Sequence, residues 1–244
     1  MMLAVLQRLR RGALDLVYAP RCLLCGQPLT SDDDHVCAAC SAGLPLISGA
    51  HCPHCYRPIR TRSGTDQVCG ACRLHPRGPV TRVAAAGEYR GGLRELIHLY
   101  KYSRYQFLAD RLAELVLRQG ESAGIFDGVD WLVPIPLHWT RARWRGFNQA
   151  RELADRCAVR TGIGVLPRRD FVRVRRTTPQ VCLNAAGRAE NIRGAFVVRR
   201  GERIEGACLL LLDDVLTTGS TANECARALR SAGAREVRAL VIGR

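Results

Sequence analysis

The chain has 244 residues and a mass of 26.9 kDa, enough to bury the core of one or two domains. Its 47% hydrophobic and 24% charged residues exclude wholesale disorder. The formal charge is +15, and every basic side chain but Lys101 is Arg, which points to an anionic partner. In chain order, apolar residues at Leu3, Leu6, Leu9, Leu14 and Val17 predict a short amphipathic helix packed on the body, within a first segment 1–20. Its basic residues, Arg8, Arg10 and Arg11, follow an apolar start, the reverse of a secretory signal. No apolar run approaches the ~18 residues that span a membrane, so a cytoplasmic protein without stable membrane insertion is expected. Residues 21–78 hold eight of the twelve cysteines and little periodicity, a loop domain organised by metal with a linker at 74–79. From residue 79 strands and helices alternate. Strands are expected at 83–89, 131–135, 171–174, 196–198, 207–212 and 237–242, and helices at 93–100, 107–119, 148–160 and 221–232. The apolar run at 207–212 reads as a central strand buried on both faces. The fold class expected for 79–244 is α/β, an open parallel sheet flanked by helices, with a small N-terminal zinc domain.

The cysteines are paired. Cys22 and Cys25, Cys37 and Cys40, Cys52 and Cys55, and Cys69 and Cys72 form four Cys-x-x-Cys knuckles. Each knuckle turns two thiolates toward one ion, and two knuckles complete a tetrahedral four-thiolate site. Eight cysteines make two such zinc sites with none left over. Sequential pairing is the simplest arrangement and an interleaved cross-brace is the alternative. A closed four-thiolate site has no open position, so its role is structural and not catalytic. An iron–sulfur cluster is the rival, and its usual runs are less regular. His35, His51 and His54 read as bystanders. Cys157, Cys182, Cys208 and Cys225 lack the spacing and read as core or incidental.

Between residues 138 and 199 there are 14 Arg against four acidic residues. Arginine holds phosphate in a two-pronged fork, so nucleic acid and a polyphosphate metabolite both fit this density. The segment LLLLDDVLTTGST, 209–221, is more specific. A buried strand ends in Asp213 and Asp214. A small-residue loop follows, Thr217, Thr218, Gly219, Ser220 and Thr221, and then a helix. Backbone N–H groups, hydroxyls and the helix N-terminus welcome a phosphate, and Gly219 permits a close backbone approach. Two acids beside a phosphate site make sense if they face sugar hydroxyls or a metal ion. An ordinary strand–turn–helix with hydroxyl caps accounts for the Thr and Ser residues but not for the acids. The loop is neither a Walker A motif, since no Lys follows the Gly, nor the Rossmann pattern.

Four apolar residues, two acids and a Thr/Gly/Ser loop resemble the phosphoribosyl pyrophosphate signature of type I phosphoribosyltransferases. The resemblance extends over nearly the whole chain to the ComF (ComFC-like) family, linked to natural competence and DNA uptake. It rests on the paired Cys-x-x-Cys head, LIHLYKY (96–102), VPIPLHWTRARWRGFNQA (133–150), PQVCLNAAGRAENIRGAF (179–196) and the acidic loop. The family pattern implies two structural Zn²⁺ ions and Mg²⁺ with phosphoribosyl pyrophosphate. By position, Asp213 and Asp214 correspond to the ribose-hydroxyl and Mg²⁺ ligands and Thr217–Thr221 to the 5′-phosphate cradle. Arg141, Arg143, Arg145 and Gly146, on the loop after the second core strand, correspond to the pyrophosphate loop. Lys101, Asn148, Gln149, Gln180 and Arg188 are further candidates, the last two in a stretch, 180–191, where such enzymes carry a mobile hood. For Lys101 the plain alternative is a solvated helix-end residue. Purine enzymes of this class carry an Asp at the position of Thr217, which weakens a purine-salvage reading, and no residue stands out as a catalytic base. Three functions follow as expectations: a phosphoribosyltransferase, a non-catalytic sensor of phosphoribosyl pyrophosphate, and an adaptor for single-stranded DNA or DNA-uptake proteins using the zinc head and the arginines. Trp139, Trp144 and Phe147 interleave with Arg141, Arg143 and Arg145, a cluster that can stack a base or pack the loop.

Overall fold

The computed structural model describes residues 20–30, 34–59, 67–74, 78–102, 105–176 and 185–244. The helix expected within residues 1–20, and Gln180 and Cys182, lie outside the described residues. The core is a four-stranded, all-parallel sheet in the order β1–β6–β5–β2: β1 Val83–Gly87, β2 Trp131–Pro134, β5 Cys208–Val215 and β6 Glu236–Gly243. In register, Leu210 of β5 lies beside Leu132 of β2 and Arg238 of β6. A parallel bridge from Leu132 to Val165 continues the sheet past β2. A separate antiparallel pair, β3 Phe171–Arg173 and β4 Phe196–Val198, stacks Phe171 on Phe196 at 5.7 Å, with the Arg173 guanidinium over the Phe196 ring.

The helices are α1 Ala38–Ala42, α2 Gly70–Leu74, α3 Gly91–Tyr100, α4 Leu108–Ser122, α5 Trp139–Arg145, α6 Gln149–Thr161, α7 Ala185–Ile192 and α8 Ser220–Ser231. The longer ones form because their apolar residues recur at helical spacing. In α4, Leu108, Leu112 and Val116 are buried on one stripe. That stripe covers β1 and β6, and α6 packs beside it over β5 and β2. Leu209, Leu210, Leu211 and Leu212 are buried in succession, as a strand covered on both faces requires. Each fully buried leucine is worth about 2 kcal/mol of transfer free energy, so this run fixes where β5 ends and where its acids emerge.

The cysteine region is built twice. Cys22 and Cys52 each accept the N–H of the residue four positions on, Gly26 and Tyr56, and each donates to the residue five on, Gln27 and Arg57. Gly26 and Tyr56 both turn into the left-handed region, at φ 72° and 58°. After Cys37 and Cys69 come the equivalent short helices α1 and α2. This head is fastened to the sheet. Ile47 N–H donates to Ala86 O, Glu88 N–H donates to Pro45 O, and Leu46 bridges Gly87. Gly87 has to be glycine here, because a Cβ would stand 2.6 Å from both Pro45 O and Leu93 Cδ2. No helix among the described residues is long and apolar enough to cross a membrane.

Candidate functional site

The two cysteine groups pair sequentially. The thiols of Cys22, Cys25, Cys37 and Cys40 lie within 4.8 Å of one another, and so do those of Cys52, Cys55, Cys69 and Cys72. The interleaved alternative is thereby resolved, and the histidines stand outside both tetrads. Cys37 N–H donates to Cys22 Sγ at 3.4 Å and Cys69 N–H to Cys52 Sγ at the same distance. Burial opposes ionisation of Cys22 and Cys52, but these and neighbouring N–H donors outweigh it and bring both thiols down to about 6. Conversely, the surrounding sulfurs Cys25 and Cys37 push Cys40 up to about 12. Four thiols this close cannot all ionise without a cation among them. The tetrads therefore fit two structural zinc ions, with all eight thiolates as ligands.

The second site lies where β5 ends. Asp213 and Asp214 line a cleft of about 460 Å³. Asp213 is pushed up to about 7, first by burial and then by the charge of Asp214, against the N–H of Asp214, which donates to Asp213 Oδ1 at 2.9 Å. Lys101, at the end of α3, has its Nζ 3.4 Å from Asp214 Oδ2 and lines the same cleft, so its side chain is paired rather than solvated. The chain then turns through Leu216 and Thr217 to Gly219, at φ +80°, where a side chain would be strained. Gly219 caps α8, and Thr218 Oγ1 accepts from Ser220 N–H at 3.4 Å. Thr217 and Thr221 line the cleft with the two acids.

The same cleft is lined by arginines. After β2 the chain forms α5, which the sequence led us to expect as a loop. His138 caps its N-terminus by accepting from Thr140 N–H, and Gly146, at φ +80°, ends it. Burial and the charges of Arg173 and Arg176 hold His138 below its ordinary value, so a neutral imidazole makes the cap. Because α5 is helical, Arg141 and Arg145, four apart, share the cleft side, and Arg143 does not line the cleft. Arg145 donates to Gln149 Oε1 at 3.1 Å, Gln149 donates to Lys101 O at 3.3 Å, and Asn148 donates to Ile135 O at 3.2 Å while capping α6 through Ala150 N–H. Gln149 thus links Arg145 to the backbone of Lys101, and Asn148 ties the start of α6 to the residue after β2. Phe147 packs its ring edge-on to Tyr100 at 5.8 Å. Arg188 belongs to α7.

Sequence reading missed Arg173, which lines the same cleft from β3. Its signal was the run FVRV, an expected strand in which Arg173 alternates with apolar neighbours. Burial, and then the charge of Arg141, pull both Arg145 and Arg173 below the ordinary guanidinium value. Three crowded arginines lining one cleft with two crowded acids suit a ligand that carries both anionic groups and hydroxyls.

A match to the double zinc ribbon domain spans residues 13–73. The DNA utilization protein YhgH of Salmonella typhimurium strain LT2 is 33% identical over 220 residues, covering 88% of this chain and 93% of the relative. Competence protein F of Haemophilus influenzae is 30% identical over 223 residues, covering 89% of this chain and 93% of the relative. Among solved structures, the glutamine phosphoribosylpyrophosphate amidotransferase from B. subtilis aligns at TM-score 0.36 and 23% identity, over 54% of this chain and 25% of that one. A score that low adds nothing to the sheet topology described above. With two tetrads in a duplicated head, a parallel sheet ending in the acidic loop, and relatives matched over nearly their full length, the chain belongs to the ComF family, here a double zinc ribbon joined to an open parallel α/β sheet.

Proposed function

We propose that this chain binds phosphoribosyl pyrophosphate with Mg²⁺ in the cleft at the end of β5, transfers the phosphoribosyl group, and acts in natural competence and DNA uptake. The observation that carries the reading is that Asp213 and Asp214, Thr217 and Thr221, and Arg141, Arg145 and Arg173 line one cleft of about 460 Å³. In this reading Asp213 and Asp214 accept from the ribose hydroxyls. N–H groups and hydroxyls of residues 217–221 hold the 5′-phosphate at the start of α8. Arg141 and Arg145 take the pyrophosphate in two-pronged contacts. The paired carboxylates, one of them pushed up to about 7 by burial and by the charge of the other, also suit a hard cation with oxygen ligands. Mg²⁺ bound there would neutralise charge on the leaving pyrophosphate. In the transfer step a bond from the acceptor to ribose C1 forms as the C1–O bond to pyrophosphate breaks. The arginines stabilise the leaving charge, so catalysis is positional and electrostatic. The association with competence draws on the names of the relatives, and the division into segments 1–20, 21–78 and 79–244 is part of the same proposal.

Equilibrium binding of phosphoribosyl pyrophosphate, with Mg²⁺ and with EDTA, tests the reading. Saturable binding that requires Mg²⁺ is expected, with release of pyrophosphate once an acceptor is supplied. A folded, zinc-loaded protein that binds no phosphoribosyl pyrophosphate would refute it. Binding without pyrophosphate release across an acceptor screen would favour the sensor. One observation favours a nucleic-acid contact in addition: Trp139 and Trp144 on α5 are 68% and 75% exposed, and the exposed Arg143 lies between them in sequence.

A further inference from the structure

We infer that the second cysteine tetrad anchors the phosphate loop, with Arg244 as the positioning residue between them. Arg244 follows β6, and the sheet fixes its backbone: its N–H donates to Gly87 O and its carbonyl accepts from Tyr89 N–H, both at 2.9 Å. Its side chain reaches two places at once. Nε donates to the carbonyl of Cys55, a ligand of the second tetrad, at 2.7 Å. Nη1 donates to Leu216 O at 2.8 Å and to Thr217 O. One guanidinium thus joins the knuckle to the loop.

The consequence follows from the planar trans peptide, in which each C=O is antiparallel to the N–H of the next residue. With the carbonyls of Leu216 and Thr217 held toward Arg244, the N–H groups of Thr217 and Thr218 are aimed the other way. Those are donors an anion at the loop would need. The knuckle is itself held in place, because Tyr56 is buried beside Cys55 and its hydroxyl accepts from Gln119 of α4 at 2.6 Å. A second contact supports the same junction: Gly78 lies so close to Asn223 of α8 that a Cβ would stand 2.4 Å from its Oδ1. Between tetrad and loop lies a cleft of about 270 Å³ lined by Cys55, Cys72, Thr218, Gly219 and Arg244. The first tetrad is tied elsewhere, through Arg111 of α4, which donates to Asp34 O and Ser41 Oγ.

Hydrogen exchange of Leu216, whose N–H donates to Gly243 O, and of Ser220, whose N–H donates to Thr218 Oγ1, tests the coupling in the zinc-loaded protein without any ligand. Arg244→Ala should speed exchange there about tenfold, the scale of losing one hydrogen bond from a charged donor. Cys72→Ser should do the same, and the double variant should be no faster than the faster single one. Arg244→Lys should return the rate to within about threefold of wild type. Exchange across α4 should stay unchanged in Arg244→Ala, which separates a local effect from a loss of fold. Arg235→Ala removes an equivalent guanidinium-to-carbonyl bond, to Gly206 O before β5, and should leave the loop as it is. Unchanged exchange in Arg244→Ala, or an equal rise in Arg235→Ala, would overturn the inference. A second arm rests on the proposed function: Arg244→Ala should raise the Kd for phosphoribosyl pyrophosphate about tenfold. If the wild type binds none, the functional reading falls, and the exchange comparison still decides the coupling.

Discussion

Asp213 shows how a strand end becomes a site. The β5 leucines fix its position, so the carboxyl is delivered into a half-closed cleft beside a second acid, and both burial and that neighbour push it up to about 7. The folded protein then holds a proton that the unfolded chain releases near the ordinary value of 3.8. Between these values the native state binds more protons, so stability falls as pH rises from about 4 to about 7 and the loss is complete above 7. Asp213→Asn should therefore melt higher than wild type at pH 8 in the absence of ligand, and the gain should vanish below pH 4. Differential scanning calorimetry across that range checks it, and a gain independent of pH would contradict it. The two acids and the Thr/Gly loop stand out in sequence because few other roles suit two carboxylates at a strand end before a small-residue loop, and the structure brings both to one cleft. Arg173 and Arg244 do not: the run FVRV marks Arg173 as part of a strand but not as part of a site, and Arg244, one arginine among 36, carries no local pattern at all. Only the pairing of β3 with β4, and the register of β6 with β1, bring them to the loop and its cleft.

The short helices and the knuckles depend on partners more than on propensity. α1 and α2 are five residues each, too short to persist alone. The head should therefore hold two zinc ions per chain and lose its structure on chelation. Structural zinc in comparable small sites is worth about 10–16 kcal/mol at neutral pH. Metal analysis and near-ultraviolet circular dichroism before and after a strong chelator check this, and a head that keeps its spectrum without metal would contradict it. Elements with a clear apolar stripe or run, such as α4, α6 and β5, were legible to within a few residues. α5 was not, because WTRARWR has no apolar stripe and its helix is set by caps, His138 at the start and Gly146 at the end. That helix divides its arginines, and the division can be tested. If the outward face contacts single-stranded DNA, Arg143→Ala should reduce the slope of log K against log salt by about 0.7, the value for one phosphate contact. A slope equal to that of wild type would remove Arg143 from any such contact.

At the scale of the molecule, two modules share one sheet edge. Residues 45–47 run along β1, Gly87 lets them approach, and Arg244 ties the second knuckle to the loop after β5. Sequence alone separated head from sheet by composition, and could not show their docking, since the contacts join residues far apart in the chain. On the proposed function, the acidic loop after β5 binds phosphoribosyl pyrophosphate. The most direct test is a calorimetric titration of phosphoribosyl pyrophosphate with Mg²⁺ into the zinc-loaded wild type and into an Asp213→Asn/Asp214→Asn variant. Saturable binding by the wild type, weakened at least about a hundredfold in the variant by loss of two charge-assisted contacts, is the predicted result. Equal affinity in the two proteins, or no heat from either, would contradict it.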